Sequence, residues 1–395
     1  MEPTGDMLDV IRLPEQEEFA DNPSHIYLND AEEKLADANV VILTDADADG
    51  IFAASLIEDT FSDTLSVEIV PVGPHRSILF LNQALSILNR FNDDKSVWVL
   101  DTSADTFQDW QIEDIELTNQ QHRIYYFDHH EWGNTDRIEY IDEHTTYFEL
   151  DGNAQNPWTL NGETFTERCT TQMIYDYLTA NGVEFSETVE DRVKAVNAGD
   201  LWLKDDNDEF KHPLTETLLD SVEYISSQDR HSRITEPYYG YKPLMKAFVS
   251  EMDITDSVLT KWADEYRTQL SNEVATVFEN FDILGEVETI NGVTYAAVYA
   301  NIAPNAVVER LREEYDADAC AILRPNGRAS FRGSEGVYEN CHTIAGDLNG
   351  GGHKMASGGS LDSLSPYDSQ EELIEDNAEQ LRTRVIEEME DYREK

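Results

Sequence analysis

A chain of 395 residues is long enough for two domains of ordinary size, each with its own core. Its 81 Asp and Glu against 28 Lys and Arg give a formal net charge of -53, which excludes a long basic track for gripping nucleic acid. With 40% hydrophobic and 10% aromatic residues, and the acids dispersed rather than blocked, a disordered acidic protein is excluded as well.

Residues 1–38 read as an acidic helical lead-in, most helical over 31–36. From Asn39 the pattern alternates: strands over 39–44, 66–72, 96–100 and 123–127, with helices over 51–61 and 77–90 between the earlier ones. Runs such as Val40-Val41-Ile42-Leu43 and Ile124-Tyr125-Tyr126-Phe127 are continuously apolar, the signature of strands covered on both faces. The predicted fold is therefore α/β, a doubly wound parallel sheet. Asp151-Gly152 and Asn161-Gly162 mark 146–166 as a hairpin or loop region. Helices follow near 167–180 and 188–197, the second running into Gly199-Asp200. A polar stretch and a helix over 244–281 form a connector. A smaller α/β domain then has strands near 294–299, 319–323 and 328–332, a Gly-rich loop over 346–359 and a closing acidic helix over 367–392. The expected division is a lead-in 1–38, a metal-binding catalytic domain 39–205, a connector 206–282 and a substrate-binding domain 283–395.

The chemistry sits where strands end. Asp45-Ala46-Asp47-Ala48-Asp49-Gly50 follows the first strand, Asp101 the third and Asp128-His129-His130 the fourth, while Asp200 closes a helix. In a parallel sheet these strand ends share one edge. Carboxylates gathered there cost on the order of several kcal/mol, or shift their pKa values strongly, unless cations turn them into ligands. Oxygen donors with a few imidazoles suit Mn²⁺ or Mg²⁺ rather than a thiolate-seeking metal. A pair of such ions suits attack on a phosphate ester: one acidifies a bound water, the other holds the phosphoryl oxygen, and a bridging Asp sets their spacing. A nearby His then positions the phosphate or donates to the leaving oxygen. The first motif also resembles the start of an EF-hand, but the twelfth position, where the closing Glu belongs, is Leu56. A plain acidic loop explains the first motif alone and a helix cap the second alone; neither explains their conjunction with Asp101.

In the second domain Gly350-Gly351-Gly352-His353 lets backbone N–H groups approach a phosphate, with His353 as a further donor. A glycine run alone describes a flexible loop equally well, but Arg332, in Ser330-Phe331-Arg332-Gly333-Ser334, adds a bidentate phosphate contact. Arg328 is the weaker candidate. His75 and Arg76, after the second strand, are placed to reach the acidic crevice. Trp98, Trp110 and Trp132 read as packing rather than base stacking.

The set Asp45 to Gly50, Asp101, Asp128-His129-His130 and Asp200 resembles the four motifs of the DHH phosphoesterase superfamily. Gly350-Gly351-Gly352-His353 followed by Gly358-Gly359 resembles the hallmark of its accessory DHHA1 domain. The resemblance covers about 39–390 and is most similar to the RecJ-like archaeal branch. It implies that Asp47, Asp49, Asp101, His129 and Asp200 are metal ligands, with Asp101 bridging two ions. Asp45 either ligates directly or sits outside the shell. It further implies that His130 faces the scissile phosphate, that Asp128 orients the His pair, and that Arg332, Gly350, Gly351, Gly352 and His353 hold the substrate opposite the metals. The implied activity is a Mn²⁺-dependent phosphodiesterase, Mg²⁺ serving as a substitute, that acts as an exonuclease on single-stranded DNA or RNA. Replication or repair proteins stand among the expected partners. The alternatives are a phosphodiesterase of small substrates (nanoRNA, cyclic dinucleotides, pyro- or polyphosphate) and a metal-free replication scaffold, which has no reason to keep so many clustered charges.

Cys169, Cys320 and Cys341 have no metal-finger spacing and read as buried free thiols. No apolar run reaches the ~18 residues of a membrane span. Met1-Glu2-Pro3-Thr4-Gly5-Asp6 lacks the features of a signal peptide, so the cytoplasm is the expected compartment. The acidity reads as adaptation to a high-salt cytoplasm such as a halophilic archaeon's, because at molar salt the Debye length is about 3 Å and self-repulsion is screened. The thermal transition should accordingly rise steeply between about 0.1 M and about 3 M KCl. A cooperative transition at one temperature in both would contradict that reading.

Overall fold

Strand-forming runs with no polar face demand cover on both sides, and the computed structural model supplies it. It describes residues 28–72, 77–104, 109–130, 132, 135–150, 158–160, 163–165, 167–201, 212–232, 237–280, 287–290, 292–299, 304–323, 328–334, 336–347, 351–352 and 354–360. The chain divides into two compact units, Met1–Tyr266 and Arg267–Lys395.

The first unit runs α1 (Leu28–Asp37), β1 (Val40–Asp45), α2 (Ala48–Phe61), β2 (Val67–Val72), α3 (Ser77–Leu88), β3 (Ser96–Leu100), α4 (Asp109–Gln121), β4 (Arg123–Asp128), α5 (Thr135–Glu143) and β5 (Tyr147–Leu150). A short antiparallel hairpin, β6 (Trp158–Leu160) and β7 (Glu163–Phe165), follows. Then come α6 (Thr170–Ala180), α7 (Glu187–Asp200), α8 (Thr215–Ser232), α9 (Pro237–Val249) and α10 (Val258–Asn280), in which the boundary between the units falls after Tyr266. Strands β1 to β5 form one all-parallel sheet in the order β2-β1-β3-β4-β5. Successive residues of β1 serve opposite cores. Val40 and Ile42 pack with Phe52, Met173 and Val193, whereas Val41 and Leu43 pack with Leu81, Leu85 and Ile115. The winding reverses at β1, which has β2 on one side and β3 on the other. This is the switch point at which open α/β sheets leave a crevice beyond the carboxyl ends of their strands.

Two stretches differ from the sequence reading. The region 146–166, read as hairpin or loop, begins with a fifth parallel strand, β5, and only its second part is a hairpin. Residues 206–282 were expected to connect the domains. Their helices α8 and α9 place Leu218, Val222, Leu244 and Phe248 in the same core as β1, and the first unit continues to Tyr266. The buried Arg192 of α7 fixes the end of α9: its guanidinium donates to the carbonyls of Ala247 and Phe248 at 2.7 Å, Ser250 at 2.6 Å and Met252 at 2.5 Å. Carbonyls that a helix end leaves unpaired are thus satisfied from a neighbouring helix.

The second unit holds β8 (Glu288–Ile290), β9 (Val293–Tyr299), α11 (Pro304–Tyr315), β10 (Ala319–Leu323), β11 (Arg328–Arg332), α12 (Cys341–Asp347), β12 (Gly351–Gly352) and β13 (Ala356–Ser360). Its sheet has the order β12-β13-β11-β10-β9-β8, with β9 and β10 parallel and the other pairs antiparallel. Apolar clusters lie on both faces. The expected lead-in up to residue 27 and the closing helix over 367–392 lie outside the described residues. Cys169, Cys320 and Cys341 are free and buried. Among the described residues, no helix is long and apolar enough to cross a membrane.

Candidate metal centre

The first acidic motif is shaped by the turn from β1 into α2. Asp47 is the N-cap of α2, its carboxylate accepting the Gly50 N–H at 3.0 Å. A Cβ on Gly50 would lie 2.4 Å from the Asp45 carbonyl oxygen and 2.5 Å from Thr44 Oγ1. Only glycine lets the helix start this close to the strand end. Asp45 closes β1, nearly buried, with Oδ1 accepting its neighbour's N–H from Ala46 at 2.6 Å. Asp49, in the first turn of α2, is buried and reaches across to α6. Its carboxylate accepts the N–H groups of Thr171 at 2.6 Å and Thr170 at 2.7 Å. The N-cap of α6, Cys169, makes no side-chain cap bond, so Asp49 caps that helix from outside and meets its positive end. The Thr171 hydroxyl donates to the Asp49 carbonyl at 2.7 Å, and Asn197 Oδ1 accepts the Cys169 N–H at 2.6 Å, which ties α7 to the same junction.

Asp101 follows β3 with φ of 53°, a left-handed backbone that Asp tolerates better than most residues and that recurs at functional sites. Its N–H still donates to the Phe127 carbonyl at 2.9 Å, so the strand ladder ends on this residue. The Thr170 hydroxyl donates to its Oδ1 at 3.4 Å. His129, just past β4, presents Nε2 to carboxylates from three other elements: Asp200 at 3.1 Å, Asp101 at 3.3 Å and Asp49 at 3.7 Å. Ligands at about 2.1 Å around an octahedral cation lie about 3 Å from one another, so these separations are those of a coordination shell. Asp200 Oδ2, the oxygen of that 3.1 Å pair with His129, is buried and makes no regular hydrogen bond among the described residues. Ligand atoms of Asp49, His129 and Asp200 lie within 4.8 Å of one another, as do those of Asp101, His129 and His130, and those of Asp45, Asp47 and Asp101. Asp101 and His129 each belong to two of these groups. Asp47 stands at the rim, less buried than Asp45, and its group is made of carboxylates alone.

The charges respond to this crowding. Burial, then the Asp47 and Asp49 charges, pushes Asp101 up to about 7. Burial, working against the attraction of His129, brings Asp200 to about 7 as well. Burial, then Asp101, holds Asp45 well above the usual carboxylate range. Burial opposes charge on His129, but the carboxylates of Asp200 and Asp101 hold it well above its ordinary value. His130 is pushed up to about 10: burial opposes its charge, but Asp128 outweighs it. Asp128 is fully buried yet held low, because His130 and its hydrogen bond outweigh the burial. Its Oδ1 meets His130 Nδ1 at 2.7 Å, and its Oδ2 accepts the Trp132 indole N–H at 2.6 Å. Carboxylates raised by burial and mutual repulsion, and drawn within about 4 Å of one imidazole nitrogen, fit hard divalent cations.

All eight residues expected at the sheet edge, Asp45, Asp47, Asp49, Asp101, Asp128, His129, His130 and Asp200, therefore meet in the first unit. The expected substrate-holding residues belong to the second unit. Arg332 ends β11, its Nε donating to Asn305 Oδ1 at 2.8 Å and its Nη1 to the carbonyls of Phe331 at 2.8 Å and Ser357 at 3.5 Å. Gly351 and Gly352 form β12, opposite Gly358 and Ser357 of β13. Gly350, His353, His75 and Arg76 lie outside the described residues. Sequence reasoning missed Thr170 and Thr171, whose signal was a Thr pair in the first turn of a predicted helix, and it read Trp132 as packing rather than base stacking.

No family model matches the sequence, and no curated protein does. Solved structures resemble the chain to different degrees. The DHH domain of PF0399, described as a member of the s1p family of ribosomal proteins, is 16% identical with a TM-score of 0.55, the match covering 96% of this chain and 99% of that one. RecJ in complex with Mn²⁺ from Thermus thermophilus is 12% identical with a TM-score of 0.48, covering 89% of this chain and 55% of that one. The pGpG-specific phosphodiesterase PggH from Vibrio cholerae is 12% identical with a TM-score of 0.48, covering 89% and 98%. The first likeness shows that the parallel-sheet unit with its second sheet has the fold of DHH-domain proteins.

The raised carboxylates set a sign for stability. Asp101 and Asp200 titrate at about 7 in the folded chain against an ordinary 3.8, so they favour the fold fully below about 4, and that contribution is lost as pH rises through about 7. The raised imidazoles act in the same direction. Cations compete with these protons. Mn²⁺ at about 1 mM should therefore raise the melting temperature by several degrees at about pH 8.5 and much less at about pH 5.5. Equal shifts at both values, or none at either, would contradict the assignment.

Proposed function

We propose that this chain is a Mn²⁺-dependent phosphodiesterase of the RecJ-like kind, releasing nucleotides from single-stranded DNA or RNA, with two ions held at the sheet edge and Mg²⁺ able to replace them. The observation that carries the reading is His129 Nε2 among the carboxylates of Asp200, Asp101 and Asp49, at the spacing of ligands around one cation. The four-motif resemblance supplies the reaction class.

Divalent cations bound there supply Lewis acidity to a phosphoryl oxygen and make a coordinated water acidic. The chain's own residues do the rest. Asp101, common to the carboxylate group with Asp45 and Asp47 and to the group with His129 and His130, is the residue that would be offered to both ions. Asp49 and Asp200 complete the His129 side, and Asp45 with Asp47 the rim side. His130 stands half exposed, its Nδ1 committed to Asp128, so Nε2 is the ring atom that donates to the substrate phosphate or leaving oxygen. In the second unit, Arg332 with the glycines 350–352 and His353 holds substrate phosphate by backbone and guanidinium N–H groups.

Asp101→Ala should lower Mn²⁺-dependent turnover of bis-p-nitrophenyl phosphate and of end-labelled oligonucleotides by about 100-fold or more in molar KCl. Activity within about threefold of wild type would remove Asp101 from the shared position. Arg332→Ala should raise KM for oligonucleotides about tenfold, with a smaller effect on the aryl diester and no change in bound Mn²⁺. Equal loss on both substrates would show that the end of β11 supports the fold instead. Product analysis on single-stranded DNA, RNA and dinucleotides decides between the exonuclease and a small-substrate enzyme.

A further inference from the structure

We propose that Trp132 is a positioning residue of this site: its indole N–H locks the Asp128 carboxylate, and Asp128 in turn fixes the ring of His130. The inference rests on the phosphodiesterase reading and deepens it.

The Asp128 carboxylate is engaged on both oxygens, by His130 Nδ1 at 2.7 Å and by Trp132 Nε1 at 2.6 Å. A carboxylate torsion is broad and roughly two-fold, so one bond would leave the group free to swing. Two donors on opposite oxygens remove that freedom, and bonds to a charged acceptor are the strong ones. The ring of His130 needs this support, because its side chain is 50% exposed and its packing alone does not hold it. Trp132 can give the support because it is itself held. It is buried, its ring meets Tyr126 edge-on at 5.9 Å and 84°, and it packs on Phe148 at 5.7 Å. Tyr126 in turn donates to the Thr102 carbonyl at 2.5 Å, within the segment that follows Asp101. One aromatic cluster therefore steadies both the His130 carrier and the backbone beside the shared carboxylate.

The choice of residue also fits. Indole offers one donor and no acceptor and cannot ionise. It orients Asp128 without neutralising it, whereas a Lys or Arg at this position would compete with His130 for the same charge.

Trp132→Phe keeps a ring in the aromatic cluster and removes only the donor. In molar KCl with Mn²⁺, kcat should fall about 10- to 100-fold while KM stays within about twofold and bound Mn²⁺ is unchanged. In a His130→Ala background the same substitution should cost less than about twofold, because the residue it acts through is gone. Wild-type kcat in Trp132→Phe, an undiminished loss in the His130→Ala background, or a loss confined to KM or to bound metal would each overturn the proposal. A second measurement needs no catalysis. The ¹⁵N-indole resonance that disappears in Trp132→Phe should lie downfield, exchange slowly with water, and move upfield in Asp128→Asn. A resonance indifferent to Asp128→Asn would overturn the proposal even with wild-type activity intact. Wild-type protein inactive on every phosphodiester tested would instead overturn the function, and this inference with it.

Discussion

Like charges at the carboxyl edge of one parallel sheet are the constraint on which the rest of the first unit depends. The sheet reverses its winding at β1, so a crevice opens beyond β1 and β3, and Asp45 and Asp101 stand at its two lips. Asp49, His129 and Asp200 arrive from α2, the end of β4 and the end of α7. Without cations the cluster resists its own charge, which is why burial and neighbouring carboxylates carry Asp101 and Asp200 up to about 7. A fold selected for stability alone would place apolar residues here. On the proposed reading the same positions would become an asset on binding divalent cations, for which repelling carboxylates would be ligands already in place.

Holding such a cluster takes local devices that serve geometry first. Gly50 lets α2 begin almost in contact with the end of β1. Asp101 accepts a left-handed backbone in order to leave the strand at the crevice. Asp49 serves twice, capping α6 through Thr170 and Thr171 while standing 3.7 Å from His129. On the other side Asp128, held low by its pairing with His130, anchors the imidazole at the rim.

Much of this was legible in the sequence, and the exceptions have physical causes. Strands β1 to β4 announced themselves because both faces are covered, so the apolar runs have no polar interruptions. β5 did not: Tyr147, Phe148, Glu149 and Leu150 are all half-buried at the sheet's edge, and Glu149 pairs with Arg168 at 2.6 Å rather than with the core. Residues 206–282 looked like a connector because the stretch up to Pro237 is polar and α8 carries Glu216, Asp220 and Glu223, which hides the apolar residues that α8 and α9 bring to the core shared with β1. Arg192 carried no signal, since its partners are backbone carbonyls far along the chain. The site's ionisable residues were legible from their places at strand ends. The neutral groups that orient them, Thr170, Thr171 and the Trp132 indole, were not, because a hydroxyl or an indole declares its role only when its acceptor is in view.

The account stands or falls on whether the edge cluster holds a pair of cations with Asp101 between them. Electron paramagnetic resonance of Mn²⁺-loaded protein in molar KCl, where loose surface ions are screened away, measures this most directly. Two Mn²⁺ per chain with an exchange-coupled spectrum, reduced to an uncoupled signal in Asp101→Asn, is the predicted result. A single uncoupled ion in the wild-type protein, or a coupled pair that survives Asp101→Asn unchanged, would contradict it.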